Sequence, residues 1–161
     1  MKIKFFSVGG TIDKVYFDAL SRYEVGDPSI RDILQNARVN FDYEISSLLK
    51  KDSLDMTEQD RMKVLKAVQD EENGKIIITH GTDTMIETAA TLSIIKDKVI
   101  VLTGAMEPAK FKTSDAVFNL GFAVAVVQVL PDGIYLAISG RIFTPDNVQK
   151  NRAKKLFEEK M

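Results

Sequence analysis

Residues 75–85, KIIITHGTDTM, constrain the fold of this chain more than any other stretch. Three consecutive isoleucines follow Lys75, and so short and β-branched a run predicts a strand buried on both faces. Gly81 ends this strand, and apolar residues at helical spacing begin at Met85. Thr82 and Asp83 therefore stand at the carboxyl end of a strand, where open α/β sheets bind ligands. Both side chains also cap helices well, so this stretch alone leaves two interpretations open.

Two further apolar runs end in turns of similar make-up. Residues 3–8 lead into Gly9-Gly10-Thr11, and residues 99–102 lead into Thr103-Gly104-Ala105. Strands alternate with helical segments along the chain, which predicts an α/β fold with a mostly parallel sheet covered by helices on both faces. Because the carboxyl ends of parallel strands meet at one edge, the three turns are expected to share a crevice.

The other segments complete the predicted order. Asp27-Pro28 looks like an N-cap followed by a first-turn proline and predicts a helix after it. Two further helices are predicted over 57–73 and 116–130. Strands are predicted over 41–49 and 134–138. The end of the third helical segment, VAVVQVL, also fits a strand. Residues 12–26 show no steady period and predict a loop, whereas the charged residues 151–161 predict a surface helix.

Composition excludes several classes of protein. With 161 residues and 45% hydrophobic content, the chain fits a single domain over residues 1–161. The formal net charge is -1, so no excess of positive charge indicates binding to nucleic acid. Cysteine is absent and His80 is the only histidine, so thiolate and His-rich metal sites are not expected. The apolar run near Met1 is too short for a signal peptide and no segment could span a membrane, which predicts a soluble cytoplasmic protein.

The glycine turns suit either a bound phosphate or a developing oxyanion, because glycine lets backbone N–H groups approach a ligand closely. Both common nucleotide-binding fingerprints are missing, as is the G-x-S-x-G motif of serine hydrolases. A threonine nucleophile remains open, activated by Tyr23 or by a lysine that is held neutral and oriented by Asp83. Taken singly, threonines placed like Thr11 and Thr82 more often cap helices than act as nucleophiles, and a lone histidine such as His80 is more often a hydrogen-bonded structural residue than a base.

Considered together, the turns resemble the amino-terminal domain of the bacterial-type L-asparaginases. The two signature stretches of that family match GGTI at residues 9–12 and HGTDTM at residues 80–85. Supporting matches are YEVG at 23–26, DSLDM at 52–56, LTGAMEP at 102–108, SDAVFNL at 114–120 and NVQK at 147–150. The resemblance runs from near the amino terminus to about Lys150 and implies a Rossmann-like α/β sheet.

The resemblance also implies roles for individual residues. Thr11 corresponds to the nucleophilic threonine, and Tyr23 lies on the loop that closes over the substrate. Thr82, Asp83 and Lys150 correspond to a triad in which the lysine accepts a proton through Thr82, while backbone N–H groups of the turns stabilise the oxyanion.

The substrate-binding positions are implied in the same way. Ser53 corresponds to the serine that holds the substrate α-carboxylate, and Asp83 would also hold the α-ammonium group. The other matching pocket positions are Gly10, Gly81 and Ala105, the last of which contacts the amide. The implied reaction hydrolyses L-asparagine to L-aspartate and ammonia through an acyl-enzyme, with no cofactor and no metal.

Two features depart from the family pattern. Leu54 stands where the family usually has a glutamine that binds the ammonium group, so recognition of the amino acid should be altered. Family members also carry a smaller carboxyl-terminal domain, which is expected to be absent because Met161 falls where it would begin. A neighbouring subunit's copy of that domain normally supplies an acid, for which Glu107, Asp146 and Glu158-Glu159 are candidate substitutes.

These departures keep two alternatives open, namely a binding domain without useful turnover and an amidase for another amide such as glutamine. The nearly all-apolar segment 116–130 is hard to cover within so small a domain, which predicts a homodimer or larger homo-oligomer.

Overall fold

The computed structural model describes residues 1–161. Its strands are β1 (Lys2–Gly9), β2 (Lys14–Phe17), β3 (Arg22–Val25), β4 (Asp42–Lys51), β5 (Lys75–Thr79), β6 (Val99–Thr103), β7 (Gly133–Ile138), β8 (Arg141–Phe143), β9 (Gln149–Asn151) and β10 (Leu156–Glu158). Its α-helices are α1 (Ile30–Asn36), α2 (Glu58–Asp70), α3 (Met85–Leu92) and α4 (Ala116–Val129). None of the helices combines the length and the apolar character that a membrane span requires.

A six-stranded sheet in the order β4-β1-β5-β6-β7-β8 forms the centre of the fold. The first five strands run parallel, and only β8 is antiparallel to its neighbour β7. The mostly parallel α/β sheet predicted from the sequence is therefore confirmed. Strands β1, β5 and β6 are adjacent, so the turns that follow them emerge side by side at one edge.

Alternate side chains of the buried strands pack into separate cores on the two faces of the sheet. Ile76 and Ile78 of β5 face the core formed with α2 and α3, whereas Ile77 faces the core formed with α1 and α4. All three isoleucines are completely buried, which explains why the strand is apolar at every position. This three-layer packing holds the turns at the sheet edge on a rigid support.

Two helix predictions are confirmed in detail. Helix α2 begins with a capping box in which the Thr57 hydroxyl accepts from the Asp60 N–H at 3.2 Å and the Asp60 carboxylate accepts from the Thr57 N–H at 2.9 Å. Helix α4 continues to Val129, so the strand interpretation of VAVVQVL is wrong. Its buried side packs on the sheet, which favours one continuous helix.

Three local predictions are wrong. Residues 12–26 are not a loop, because β2 and β3 pair as an antiparallel hairpin. Helix α1 begins at Ile30 with Ser29 as its N-cap, after Asp27-Pro28. The charged tail contains no helix, because β9 and β10 form a second hairpin in which Phe157 is buried against the core. Both hairpins have short strands, and most of their strand residues are only partly buried or exposed, so they lack the apolar alternation by which a strand is recognised.

Candidate active site

Three glycine turns pack directly against one another at the sheet edge. A Cβ atom placed on Gly10 would lie 2.4 Å from the Cα of Gly81, and one placed on Gly104 would lie 2.3 Å from the carbonyl oxygen of His80. Gly10 also has a φ of 87°, which side-chain-bearing residues rarely adopt. The turns after β1, β5 and β6 therefore form the shared crevice that the sequence predicts.

Thr82, Asp83 and Lys150 form a hydrogen-bonded triad at this crevice. The Lys150 Nζ lies 2.8 Å from the Thr82 Oγ1 and 2.7 Å from the Asp83 Oδ1. Thr82 is almost buried, and its hydroxyl also points at the Met106 sulfur at 3.8 Å. Neither Thr82 nor Asp83 caps α3, whose N-cap is Thr84, so the capping interpretation of these two residues is wrong.

Lys150 reaches the triad from the hairpin that the sequence did not predict. It lies in the middle of β9, directly opposite the buried Phe157 of β10. Because Phe157 is packed in the core, it holds the paired strand β9 in place. The lysine is thereby delivered to a threonine 68 residues earlier in the chain.

Thr11 lines the same cavity as the triad. The cavity has a volume of about 280 Å³, and its lining residues are Thr11, Thr82, Asp83, Met106, Lys150, Arg152 and Lys155. Thr11 starts a single helical turn that is held by Asp13, whose buried carboxylate accepts from the Ser7 hydroxyl and the Ser29 N–H, each at 2.8 Å. Burial raises the pKa of Asp13, and these hydrogen bonds oppose that effect.

The predicted substrate-binding residues lie beside this cavity. Ser53 is buried against Gly81, and its carbonyl oxygen accepts from the Thr84 hydroxyl at 2.8 Å. Ala105 follows β6 and is buried in the core shared with α4. The next segment reaches the turn of Thr11, because the Ala109 N–H donates to the Ile12 carbonyl at 3.1 Å.

Tyr23 lies apart from Thr11. It is half exposed on β3, and its ring contacts Tyr16 and Phe111 with centroid distances of 5.4 and 5.8 Å. It lines a separate cavity of about 550 Å³ near the end of β4, not the cavity of Thr11 and the triad. Of the five predicted catalytic residues, the structure thus brings together four.

His80 is a hydrogen-bonded structural residue, which is one of the roles that the sequence left open. Its ring is completely buried, with Nδ1 2.7 Å from the Gly81 carbonyl oxygen and Nε2 2.7 Å from the Thr88 hydroxyl. The pKa of His80 is lowered to about 4, mainly by burial; the contact with the Gly81 carbonyl opposes this shift, and the positive charge of Arg61 adds to it. The neutral ring ties the turn to α3.

Asn119 and Asp115 support the site but were not identified from the sequence. The Asn119 amide donates to the Gly104 carbonyl at 2.9 Å and its oxygen accepts from the Ser139 N–H at 2.9 Å. The Asp115 carboxylate accepts from the Met106 N–H at 3.0 Å. Both residues lie in the SDAVFNL stretch at 114–120, which matches the family, but that match does not indicate which of its polar residues hold the turn after β6.

A larger cavity of about 850 Å³ lies between the β2–β3 hairpin, α1 and β4. Its charged residues are mostly paired with one another, as in Lys50–Asp27 at 2.5 Å and Lys110–Asp32 at 3.1 Å. No hydroxyl in this cavity is hydrogen-bonded to a lysine amine, in contrast to Thr82 and Lys150. The larger cavity volume therefore does not identify the reactive site.

Comparison with known proteins agrees with this geometry. The family model "Asparaginase, N-terminal" matches residues 2–158. The chain belongs to the asparaginase family. It is 34% identical over 162 residues to an L-asparaginase of Thermococcus kodakarensis, an alignment that covers 93% of this chain and 48% of that protein.

Solved structures of asparaginases share the fold. The thermostable L-asparaginase from Thermococcus kodakarensis superposes with a TM-score of 0.84 at 30% identity, covering 99% of this chain and 51% of that chain. A probable cytoplasmic L-asparaginase from Campylobacter jejuni gives a TM-score of 0.76 at 30% identity, covering 98% and 51%. The chain spans about half the length of these relatives.

Proposed function

We propose that this asparaginase-family chain is an amidohydrolase that converts L-asparagine to L-aspartate and ammonia through a threonine acyl-enzyme. The observation that carries the proposal is the Lys150–Thr82 contact of 2.8 Å in the cavity that Thr11 lines. A hydroxyl becomes nucleophilic or passes a proton only when a base lies within hydrogen-bond reach, and the Lys150 amine meets that distance.

In the proposed first step, the Thr11 oxygen attacks the side-chain amide carbon of asparagine. The hydroxyl proton passes to the amide nitrogen, the C–N bond breaks, and ammonia leaves an ester on Thr11. Backbone N–H groups of the glycine turns stabilise the oxyanion. Water then attacks the ester carbon while Thr82 passes one proton of that water to the Lys150 amine. The bond between the acyl carbon and the Thr11 oxygen breaks, Lys150 returns the proton to that oxygen through Thr82, and aspartate leaves.

Tyr23 takes part in this scheme only after movement of the β2–β3 hairpin. Its ring contacts Tyr16 and Phe111, and it does not line the cavity of Thr11. We infer that the hairpin closes over bound substrate and brings the Tyr23 hydroxyl to Thr11. Closure of this kind excludes water and completes the catalytic group.

The substrate contacts are proposed from the same crevice. Ser53 holds the α-carboxylate, Asp83 the α-ammonium, and Gly10 and Gly81 contribute backbone groups, with Ala105 beside the amide. Gly10 and Gly81 belong to the packed turns, and Ser53 lies against Gly81, which supports this assignment. We further propose that residues 1–161 act as one catalytic domain, in a homo-oligomer in the cytoplasm, with no cofactor.

Ammonia release from asparagine tests the proposal. The variants Thr11→Ala and Thr82→Val should each lower kcat by 100-fold or more, on the order of the loss seen when an essential catalytic group is removed. The control is Thr91→Val, because Thr91 is partly exposed on α3 and its hydroxyl bonds only the Glu87 carbonyl. Equal rates in wild type and both site variants would refute the proposal.

A binding function without turnover is favoured by two observations. The Asp83 carboxylate already faces Lys150 at 2.7 Å and Arg152 at 3.5 Å, and Leu54 is 65% exposed beside Ser53. Calorimetry with aspartate would then show binding while no ammonia forms from asparagine or glutamine. Normal turnover of asparagine would eliminate the binding function. Faster turnover of glutamine than of asparagine would identify glutamine as the substrate of the same amide hydrolysis.

A further inference from the structure

Asp13 is a completely buried acid that the proposed reaction does not use. Its surroundings provide hydrogen bonds but no lysine or arginine to neutralise its charge. It does not line the cavity that contains Thr11 and the triad, so it has no direct contact with a substrate there. Burial of a polar group is costly unless its hydrogen bonds are made, and an apolar residue would carry no such cost. The hydrogen bonds of Asp13 indicate what it contributes in return.

The two carboxylate oxygens of Asp13 hold both sides of the turn that begins at Thr11. Oδ2 accepts from the Ser7 hydroxyl at 2.8 Å, and Ser7 lies in β1, just before the turn. Oδ1 accepts from the Ser29 N–H at 2.8 Å, at the start of α1. Asp13 therefore fastens residues 11–13 to the central sheet through one oxygen and to a helix through the other.

The backbone contacts of this turn depend on the same placement. The Asp13 N–H closes the turn by donating to the Gly10 carbonyl at 3.2 Å. The hydroxyl of Ser29, whose N–H binds Asp13, donates to the Ile12 carbonyl at 3.2 Å. Because Thr11 belongs to this single turn, a tilt of the turn moves its hydroxyl. A displacement of about 1 Å at a reacting group slows a reaction by roughly 100-fold.

Asp13 also joins the two ends of the β2–β3 hairpin. Its carbonyl accepts from the Gly26 N–H at 2.8 Å, so the chain that enters β2 and the chain that leaves β3 meet at this residue. The closure proposed for Tyr23 moves the hairpin relative to the sheet. With Asp13 fastened to β1 and α1, the base of the hairpin stays in place and the Thr11 turn does not follow the movement.

We propose that Asp13 is a positioning residue for Thr11, which holds the Thr11 turn against Ser7 and Ser29 while the hairpin closes. The proposal rests on the amidohydrolase function proposed above. Asp13 acts through hydrogen-bond geometry alone, because it neither touches the substrate nor moves a proton in the reaction. Its loss therefore slows the chemistry at Thr11 without weakening the binding of ligand in the cavity.

Ammonia release by Asp13→Ala and Asp13→Asn tests the proposal, together with calorimetry of aspartate binding. Asp13→Ala should lower kcat by about 30-fold and change the Kd of aspartate by less than about twofold, because only the reacting hydroxyl is displaced. Asp13→Asn should keep kcat within about threefold of wild type, since its amide oxygen accepts from the Ser29 N–H and its NH2 group donates to the Ser7 oxygen.

Val68→Ala is the matched control for a loss of stability. Val68 is completely buried on α2, in the core on the other face of the sheet from α1, so its truncation weakens the fold without reaching the Thr11 turn. This variant should keep the wild-type kcat. Equal losses of kcat in Asp13→Ala and Val68→Ala, or in Asp13→Ala and Asp13→Asn, would overturn the inference.

Ser7→Ala is a smaller change that tests the same contact when Asp13→Ala does not fold. It removes one of the two donors to the Asp13 carboxylate and leaves the Ser29 N–H in place. We expect kcat to fall by about fivefold, the effect of one hydrogen bond, with the Kd of aspartate unchanged. A wild-type kcat in Ser7→Ala would count against the role of Asp13.

Hydrogen–deuterium exchange separates this inference from the proposed reaction. Exchange in peptides that cover residues 10–14 should be about tenfold faster in Asp13→Ala, or in Ser7→Ala, than in wild type, and should be unchanged in Asp13→Asn and Val68→Ala. This result would support the held turn even when no ammonia is released by the wild type, and the amidohydrolase proposal would then fail alone. Wild-type exchange in Asp13→Ala, with or without turnover, would refute the inference.

Discussion

At the scale of single residues, the site depends on groups that are far apart in the chain. Asp83 and Lys150 are separated by 67 positions, yet their side chains meet at 2.7 Å. The sequence identified Asp83 as an orienting acid from its place after a buried strand. It could not choose Lys150 among the lysines by spacing, because only the tertiary fold sets that distance, and the choice came from the family motif.

The protonation of His80 gives a prediction for stability. Its folded pKa of about 4 lies below the ordinary value of 6.5, so between these values the unfolded chain binds a proton that the folded chain does not. The free energy of unfolding should therefore be highest above pH 6.5 and should fall as pH drops towards 4, by at most about 3 kcal/mol from this group.

Urea unfolding at several pH values measures this effect, with His80→Gln as the comparison. The variant should be less stable at pH 7 but should lack the histidine component of the pH dependence. The raised pKa of Asp13 makes the folded protein more stable as pH falls, which is opposite to the effect of His80. This contribution is the same in the wild type and the variant, so it cancels when their free energies of unfolding are subtracted. Parallel pH profiles for the two proteins would contradict the account.

At the scale of secondary structure elements, the sequence predicted those whose pattern is strong. The strands β1, β5 and β6 could be predicted because both of their faces are buried and their sequences are mainly apolar. Helix α2 could be predicted because its sequence contains a capping box. The two hairpins were not readable. Their strands are four or three residues long and pair mainly with each other, so local pattern carries little information about them.

Helix α4 supports the site through Asn119, which is completely buried. Replacing Asn119 with Ala leaves the Gly104 carbonyl and the Ser139 N–H without their partner. We expect the free energy of unfolding to fall by about 2 kcal/mol, because unsatisfied buried polar groups are costly. Ammonia release should fall as well, since the turn after β6 loses a support.

Chemical denaturation and the ammonia assay on the same samples check this expectation. Asn36→Ala is the control, because Asn36 is exposed at the end of α1 and should change stability by less than about 0.5 kcal/mol. An Asn119→Ala protein as stable as the control would show that the hydrogen bonds to Gly104 and Ser139 do not hold the turn.

At the scale of the whole molecule, one surface of α4 is apolar and uncovered. Val117, Phe118 and Val129 are exposed by 58, 62 and 77%, and the Phe118 ring stacks near Phe122 at 6.4 Å between centroids. Exposed apolar groups along one helix are typical of a protein–protein interface. This surface is the structural basis for the proposed homo-oligomer.

Light scattering at micromolar concentration should give a mass at least twice that of the 18.0 kDa chain. Phe118→Asp should yield monomers, because a charge cannot be buried unpaired at such an interface. Ile94→Asp is the control, since Ile94 is exposed to a similar degree but lies beyond the end of α3. A monomeric wild type would contradict the oligomer.

The central claim is that Thr11 carries an acyl group which the Thr82–Lys150 pair helps to remove. The most direct measurement is the mass of Thr82→Val protein quenched in acid after mixing with asparagine. The account predicts an adduct on Thr11 equal in mass to the amide less ammonia, and none when Thr11 is also replaced by Ala. Ammonia release from Thr82→Val without an adduct, or an adduct on another residue, would contradict it.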